Sequence, residues 1–269
     1  MTLQHTRRIV KSLFILFIIV VCIYLLPRVA INAFYYPDNK AYGPTPAEAE
    51  SITFTAKDGT HLHGWFIPTA FGRPENAVAT VIHVHGNAGN MSAHWPLVSW
   101  LPERNVNLFM FDYRGFGESE GTPSQEGLLD DTKSAIDYVL AAVGHCVGCA
   151  NMRYADQAGI RAIILDSTFL SYSSIANQMI PGSGYLLDDR YSADRNIASV
   201  SPIPVLILHG TADHVIPWQD SEKLYALARE PKQKIFIPDG DHIDAFSGRY
   251  ANLYRDAMIK FIQTALSAK

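Results

Sequence analysis

Hydrophobic residues fall along this chain in three regimes. The run Leu13–Leu26 is unbroken and apolar on every side, with Arg7, Arg8 and Lys11 ahead of it. After Pro27 and Arg28 the apolar character resumes from Val29 to Tyr36, apart from Asn32. A helix apolar all round is not the surface helix of a globular domain. The unbroken run is shorter than the roughly 20 residues a membrane span needs. A helix from Ile9 to Ile31, with Lys11 and Arg28 reaching outward, attains that length. No A-x-A cleavage site follows. The pattern predicts an uncleaved signal anchor, a transmembrane helix over residues 12–34, behind a basic segment 1–11. Positive charge ahead of the run places the N-terminus in the cytoplasm and the main domain on the non-cytoplasmic side of a single-pass membrane protein. Residues 35–50, rich in proline and in small and acidic residues, read as a linker.

The third regime, 51–269, alternates strand-like and helix-like segments. Ser51–Ala56 and His61–Ile67 flank Asp58-Gly59, a hairpin turn. Ala77–His85, Asn107–Asp112, Arg161–Asp166, Pro204–His209 and Lys234–Pro238 read as strands, several of them continuous apolar runs. Met91–Glu103, Leu128–Val143, Gln219–Ala228 and Asp244–Leu266 carry helical periodicity. Residues 167–200 are irregular and rich in serine and tyrosine. Buried strands alternating with helices predict an α/β domain whose mostly parallel sheet is covered on both faces.

Composition narrows the function classes. Hydrophobic residues make up 48% and charged residues 18%, a globular balance with no sign of disorder. The net charge of −4 and the lack of a basic stripe give no nucleic-acid footprint. Three cysteines are too few for a disulfide scaffold. Cys146 and Cys149 form a lone C-x-x-C, either a redox pair or two small residues one helical turn apart. The H-x-H pairs His61/His63 and His83/His85 are what strand alternation produces without a metal. No metal and no cofactor is expected.

Reactive groups in such sheets sit at the carboxyl ends of strands. Four strand ends are chemically loaded. His83-Val84-His85-Gly86-Asn87-Ala88-Gly89-Asn90 brings glycines just past a strand, where backbone N–H groups can approach a developing oxyanion. Phe111-Asp112-Tyr113-Arg114-Gly115-Phe116-Gly117 follows. His209-Gly210-Thr211-Ala212-Asp213 and Asp239-Gly240-Asp241-His242 end two successive strands, so Asp213 and His242 can meet above the sheet. A carboxylate that holds an imidazole in one tautomer is the orienting half of a catalytic triad. Taken singly, Asp213 also reads as a turn residue and His242 as a helix cap.

Together these four strings, in this order, resemble the serine-esterase branch of the α/β-hydrolase superfamily. The nearest resemblance is to membrane-anchored members related to prolyl-oligopeptidase-like and depalmitoylase-like enzymes, and it covers 51–269. It implies hydrolysis of a small-molecule ester, a thioester or a peptide. It assigns Asp213 as triad acid, His242 as triad base, and the N–H of Asn87 or Ala88, beside Gly86, as an oxyanion donor.

The nucleophile is where the chain departs from that pattern. It belongs in G-x-S-x-G between a strand and a helix, ahead of the acid and base. Gly117-Glu118-Ser119-Glu120-Gly121 matches literally, but Thr122-Pro123 follows instead of a helix. Gly144-His145-Cys146-Val147-Gly148 matches with cysteine, which could serve as a thiolate beside a histidine. Yet the helix from Leu128 runs into Val143 without a break, leaving too little chain for a helix, a loop and a strand. Members of the superfamily have about 20 more residues here, encoding a loop, the central strand and the elbow. The expectation is therefore a fold without its central elbow strand. In such a fold 138–143 would be recruited as a substitute strand. Three functions stay open: a hydrolase impaired by loss of the elbow, a cysteine hydrolase using Cys146, and a non-catalytic membrane protein.

Overall fold

The computed structural model describes residues 3–32, 34–143 and 159–267. Helix α1 (Leu3–Asn32) leads to a short strand β1 (Tyr36–Pro37). The strands that follow are β2 (Glu50–Thr55), β3 (His61–Ile67), β4 (Ala79–Val84), β5 (Ala88–Gly89), β6 (Val106–Phe111), β7 (Ile163–Asp166), β8 (Val205–Gly210) and β9 (Lys232–Ile237). The remaining helices are α2 (Met91–Val98), α3 (Gln125–Val143), α4 (Tyr172–Met179), α5 (Ala193–Asn196), α6 (Trp218–Leu227) and α7 (Ala251–Ser267). The irregular stretch 167–200 resolves into α4, α5 and single 3₁₀ turns.

The predicted hairpin is present, with β2 antiparallel to β3 from Glu50↔Phe66 to Thr55↔His61. Strand β3 runs antiparallel to β6, β6 parallel to β4, and β7, β8 and β9 are parallel to one another. All six residues of β6 and of β8 are buried, as parallel strands covered on both faces must be. On one face, α3 and α6 contribute Ile136, Val139 and Leu224 to a cluster with Phe109, Phe111, Val205 and Ile207. On the other, α2 and α7 contribute Val98, Met258 and Phe261 to a cluster with Leu108, Met110, Leu206 and Leu208.

Among the described residues the sheet is interrupted. Its order is β2-β3-β6-β4 in one part and β7-β8-β9 in the other, with no strand between β4 and β7. The two parts nevertheless share both cores. Ile82 of β4 and Ile163 of β7 lie in the first cluster, and Val81 of β4 and Ala162, just ahead of β7, in the second. Two sealed polar atoms without hydrogen-bond partners, His83 Nε2 and Asp166 Oδ2, belong to the strands that face the interruption. The described residues thus form a covered parallel sheet in two parts.

Residues 138–143 do not supply a substitute strand. They complete α3, because the apolar positions Ala135, Ile136 and Val139 recur at helical spacing and bury one face. Tyr138 stacks its ring on Phe109 and lies against Phe54. Two other helices are shorter than their periodicity predicts. Helix α2 stops at Val98, and Pro102 starts a separate 3₁₀ turn. The segment that should open α7 at Asp244 stays in turns and bends through Tyr250.

Helix α1 begins ahead of the predicted segment and ends at Asn32, and no described helix is long and apolar enough to cross a membrane. At 1.5 Å per residue the uninterrupted run Leu13–Leu26 covers about 21 Å, against a hydrocarbon core of about 30 Å. The apolar side chains from Leu13 to Val20 are nonetheless all solvent-exposed.

Candidate active site

Asp213 and His242 come together. The first lies just past β8 and the second just past β9, and adjacent parallel strands deliver both loops to one end of the sheet. The loops touch backbone to backbone at Gly210: a Cβ there would lie 2.2 Å from the Gly240 carbonyl oxygen. His242 Nδ1 sits 2.8 Å from Asp213 Oδ2. With a carboxylate as partner, Nδ1 carries the proton, which leaves Nε2 as the basic nitrogen. No described residue hydrogen-bonds that Nε2, and the side chain is 28% exposed.

The Asp213 carboxylate is fully enclosed and fully bonded. Oδ1 accepts the N–H groups of Val215 and Ile216, each at 2.8 Å. Oδ2 receives His242, and His209 Nε2 stands 2.9 Å from it. Burial by itself raises the carboxyl's pKa. The bonds from His242 and the Ile216 and Val215 N–H groups outweigh it and hold the group below its ordinary value. His209 is a positioning residue that the sequence did not single out. Its Nδ1 is 2.6 Å from Ser221 Oγ and its Nε2 is 3.1 Å from the Ile216 carbonyl, so both ring nitrogens are fixed. The only sequence signal was a polar residue ending an otherwise apolar strand.

A second pair beside the dyad was also missed. Asp166 ends β7, and Ser167 follows with a left-handed φ of 50°. The Ser167 hydroxyl donates to Asp166 Oδ1 at 3.1 Å and accepts the Ile243 N–H at 3.3 Å, pinning the residue after His242. Part of Asp166 remains accessible, but its Oδ2 is sealed. Burial pushes the carboxyl up to about 7, partly offset by Ser167 and the nearby His242.

The loop Gly86-Asn87-Ala88 lies at the end of β4, with the His94 ring 3.6 Å from where a Gly86 Cβ would stand. His94 is close enough to His242 for their charges to oppose each other. His85 supports the loop from beneath. Its Nδ1 is 2.7 Å from the Gly86 carbonyl, and its Nε2 faces the Tyr113 N–H at 3.4 Å. Burial, with repulsion from His94, pushes this ring down to about 3, so it stays neutral and donates through Nδ1.

The outer side of the same loop is stitched to the N-terminal linker. Tyr36 N–H donates to the Asn87 carbonyl at 2.8 Å, and β1 pairs in parallel with β5. The Asn87 amide donates to the Phe34 carbonyl, and the Asn90 amide to those of Asp38 and Lys40. Asn90 Oδ1 also accepts from Ser92 N–H, capping α2. Much of the H-G-N-A-G-N string therefore binds residues 34–40.

The literal G-x-S-x-G is a structural knot. Ser119 is buried, donates to the Asp112 carbonyl at 2.6 Å and accepts the His63 N–H at 2.9 Å. Its neighbour Gly117 lies against Asp112, where a Cβ would stand 1.9 Å from Oδ2. Arg114 in the same loop holds Asp131 through two nitrogens and Asp58 through a third. Cys146, the other candidate nucleophile, lies outside the described residues, as does Cys149. Among the described residues no group of three His, Cys, Asp or Glu could hold a metal ion.

A covered, mostly parallel sheet with an acid–imidazole pair at the ends of successive strands and a glycine loop at the end of β4 defines a hydrolase fold. The alpha/beta hydrolase family model matches residues 81–202. The alpha/beta hydrolase domain-containing protein WAV2 of Arabidopsis thaliana is 30% identical over 246 residues, covering 77% of this chain and 78% of its own length. The chain belongs to the α/β-hydrolase family. The Pyrococcus furiosus esterase Pf2001 superposes with a TM-score of 0.67 at 17% identity, over 85% of this chain and 98% of the esterase.

The YfhR protein of Salmonella typhimurium (strain LT2) is 92% identical over 292 aligned positions, which cover all of both chains. This chain has 269 residues, so 23 of those 292 positions have no counterpart in it. Ninety-two per cent of 292 is about 269, so unfilled positions account for nearly all of the difference.

Proposed function

We propose that this chain is an α/β-hydrolase of the ester, thioester or peptide-bond class that keeps its acid, base and oxyanion loop but lacks the strand and elbow that carry the nucleophile, and that it turns over no ester through His242. The observation that carries this reading is the interruption between β4 and β7 among the described residues. An elbow works because a central strand brings a strained turn to the top of the sheet and the next helix aims its N-terminus there. The 23 unfilled positions match the length of a loop, a strand and a turn, and α3 runs unbroken to Val143. General-base catalysis needs a nucleophile within about 3 Å of the imidazole. Ser119 is committed elsewhere.

The exposed apolar surface of α1 supports attachment to a membrane through that helix.

The test is an ester assay on the wild type, Ser119→Ala, Cys146→Ala and His242→Ala, alongside a chain into which the 23 positions of the Salmonella relative are restored. The expected result is background turnover in the first four and His242-dependent turnover in the restored chain. Wild-type turnover abolished by both Cys146→Ala and His242→Ala would make this a cysteine hydrolase and overturn the reading. Loss with Ser119→Ala and His242→Ala would do the same in favour of the literal motif.

A further inference from the structure

The stretch 167–187 contains no Asp, Glu, Lys or Arg, in a chain where such residues make up 18%. It folds over the end of the sheet beside the dyad. There Phe34, Ile175, Ala176 and Ile216 form a small core of their own, with Phe169 and Leu187 packed against it. Ile216 also donates its N–H to Asp213, so this core adjoins the candidate site directly. Helix α1 comes up against the turn Ser183–Leu186. Phe34, just past that helix, packs edge-on against Tyr172 of α4, and the Tyr35 hydroxyl is 3.1 Å from that of Tyr172.

Outward from that core the side chains are apolar and bare. Met179, Ile180 and Val215 are each more than half exposed, and Tyr185 is 94% exposed. Met179, Ile180 and Tyr185 lie within the uncharged stretch 167–187, and Val215 precedes Ile216, so each borders that core in the chain. Scattered exposed apolar residues need no explanation, but a contiguous uncharged patch does.

We propose that this rim lies on the lipid bilayer, immersed to the depth of the headgroup–acyl boundary, with the Tyr185 ring at the interface. The proposal rests on α1 being embedded in that bilayer. Two observations choose lipid over a protein partner. The apolar side chains of α1 are exposed on every face from Leu13 to Val20, and a partner helix would cover one face only. The rim is also continuous with α1, through Phe34 and the 183–186 turn. A solvent able to surround the helix on all sides therefore reaches the rim as well. Tyrosine suits such a position, since its ring is apolar and its hydroxyl wet. Because the rim carries no charge, its immersion depends on apolar area alone and not on anionic headgroups.

The experiment uses the full chain with Cys22, Cys146 and Cys149 replaced by serine. A single environment-sensitive fluorophore is attached at Ile180→Cys, at Tyr185→Cys, or at Gln263→Cys on the exposed face of α7. Each protein is mixed with phosphatidylcholine vesicles, with and without phosphatidylglycerol, and separated by flotation. Flotation reads α1, and the fluorophore reads the rim. The expected result is that all three proteins float and that labels at 180 and 185 shift to the blue. Those two labels are also quenched by lipids doxyl-labelled near the headgroup, equally in both vesicle types, while the label at 263 does neither. Proteins that float while labels at 180 and 185 behave like that at 263 overturn the rim and leave α1 embedded. Proteins that stay at the bottom of the gradient overturn both. A rim signal seen only with phosphatidylglycerol overturns the apolar basis of the docking.

Discussion

Ser119 shows how far a short motif can mislead without its surroundings. Its hydroxyl closes two buried hydrogen bonds, to the Asp112 carbonyl and from the His63 N–H. Ser119→Ala leaves both groups short of a partner. The expected loss is about 1–3 kcal/mol in urea unfolding, with no change in ester hydrolysis. Asp166 gives a different signature. Its carboxyl, raised by burial to about 7 in the fold, has an unfolded value of roughly 3.9. A carboxyl raised on folding stabilises the fold below its unfolded pKa, and that contribution is lost as pH rises through the folded value. Asp166→Asn removes the dependence. The variant's Tm minus that of the wild type should therefore widen from pH 4 to pH 8 in thermal melts. A constant difference would show that the sealed oxygen has a partner. Neither role was legible in the sequence, because both depend on contacts across many residues or on a sealed atom. Asp213 and His242 were legible because each ends a strand in a recognisable string.

The hairpin, the buried strands β4, β6 and β8, and the amphipathic helices were all readable from periodicity, which is a local property. The linker was not. Residues 35–50 read as a spacer, whereas Phe34, Tyr36, Asp38 and Lys40 are bonded to the loop 87–90 through backbone groups, which leave no trace in side-chain pattern. Asn90 is the centre of this seam, since its amide holds two linker carbonyls and its oxygen caps α2. Asn90→Ala should cost about 1–2 kcal/mol through the lost cap alone. It should also make the bonds around residues 38–42 the first site cut in limited proteolysis. Cleavage that still begins elsewhere would mean that the linker is held mainly by β1 and β5.

At the scale of the whole molecule, the proposed loss of the elbow was legible as a shortage of chain. Helix α3 takes up Gln125–Val143, and the sequence left before β7 is short for a loop, the elbow strand and the helix that follows it. The two described half-sheets, which share both cores, could be seen only once the pairing was known. Hydrogen exchange makes that feature visible in solution. Along a parallel strand, successive N–H groups point to opposite neighbours. In β6 the amides of Leu108–Phe111, paired on both sides, should all be protected. In β4 and β7, each paired on one side only among the described residues, protection should alternate residue by residue. Amides aimed at β6 or β8 would exchange slowly, and those aimed at the interruption quickly, although both lie inside the protein. An NMR exchange series would then show a two-residue rhythm in the strands of the interior, and in the chain restored to 292 positions that rhythm should vanish.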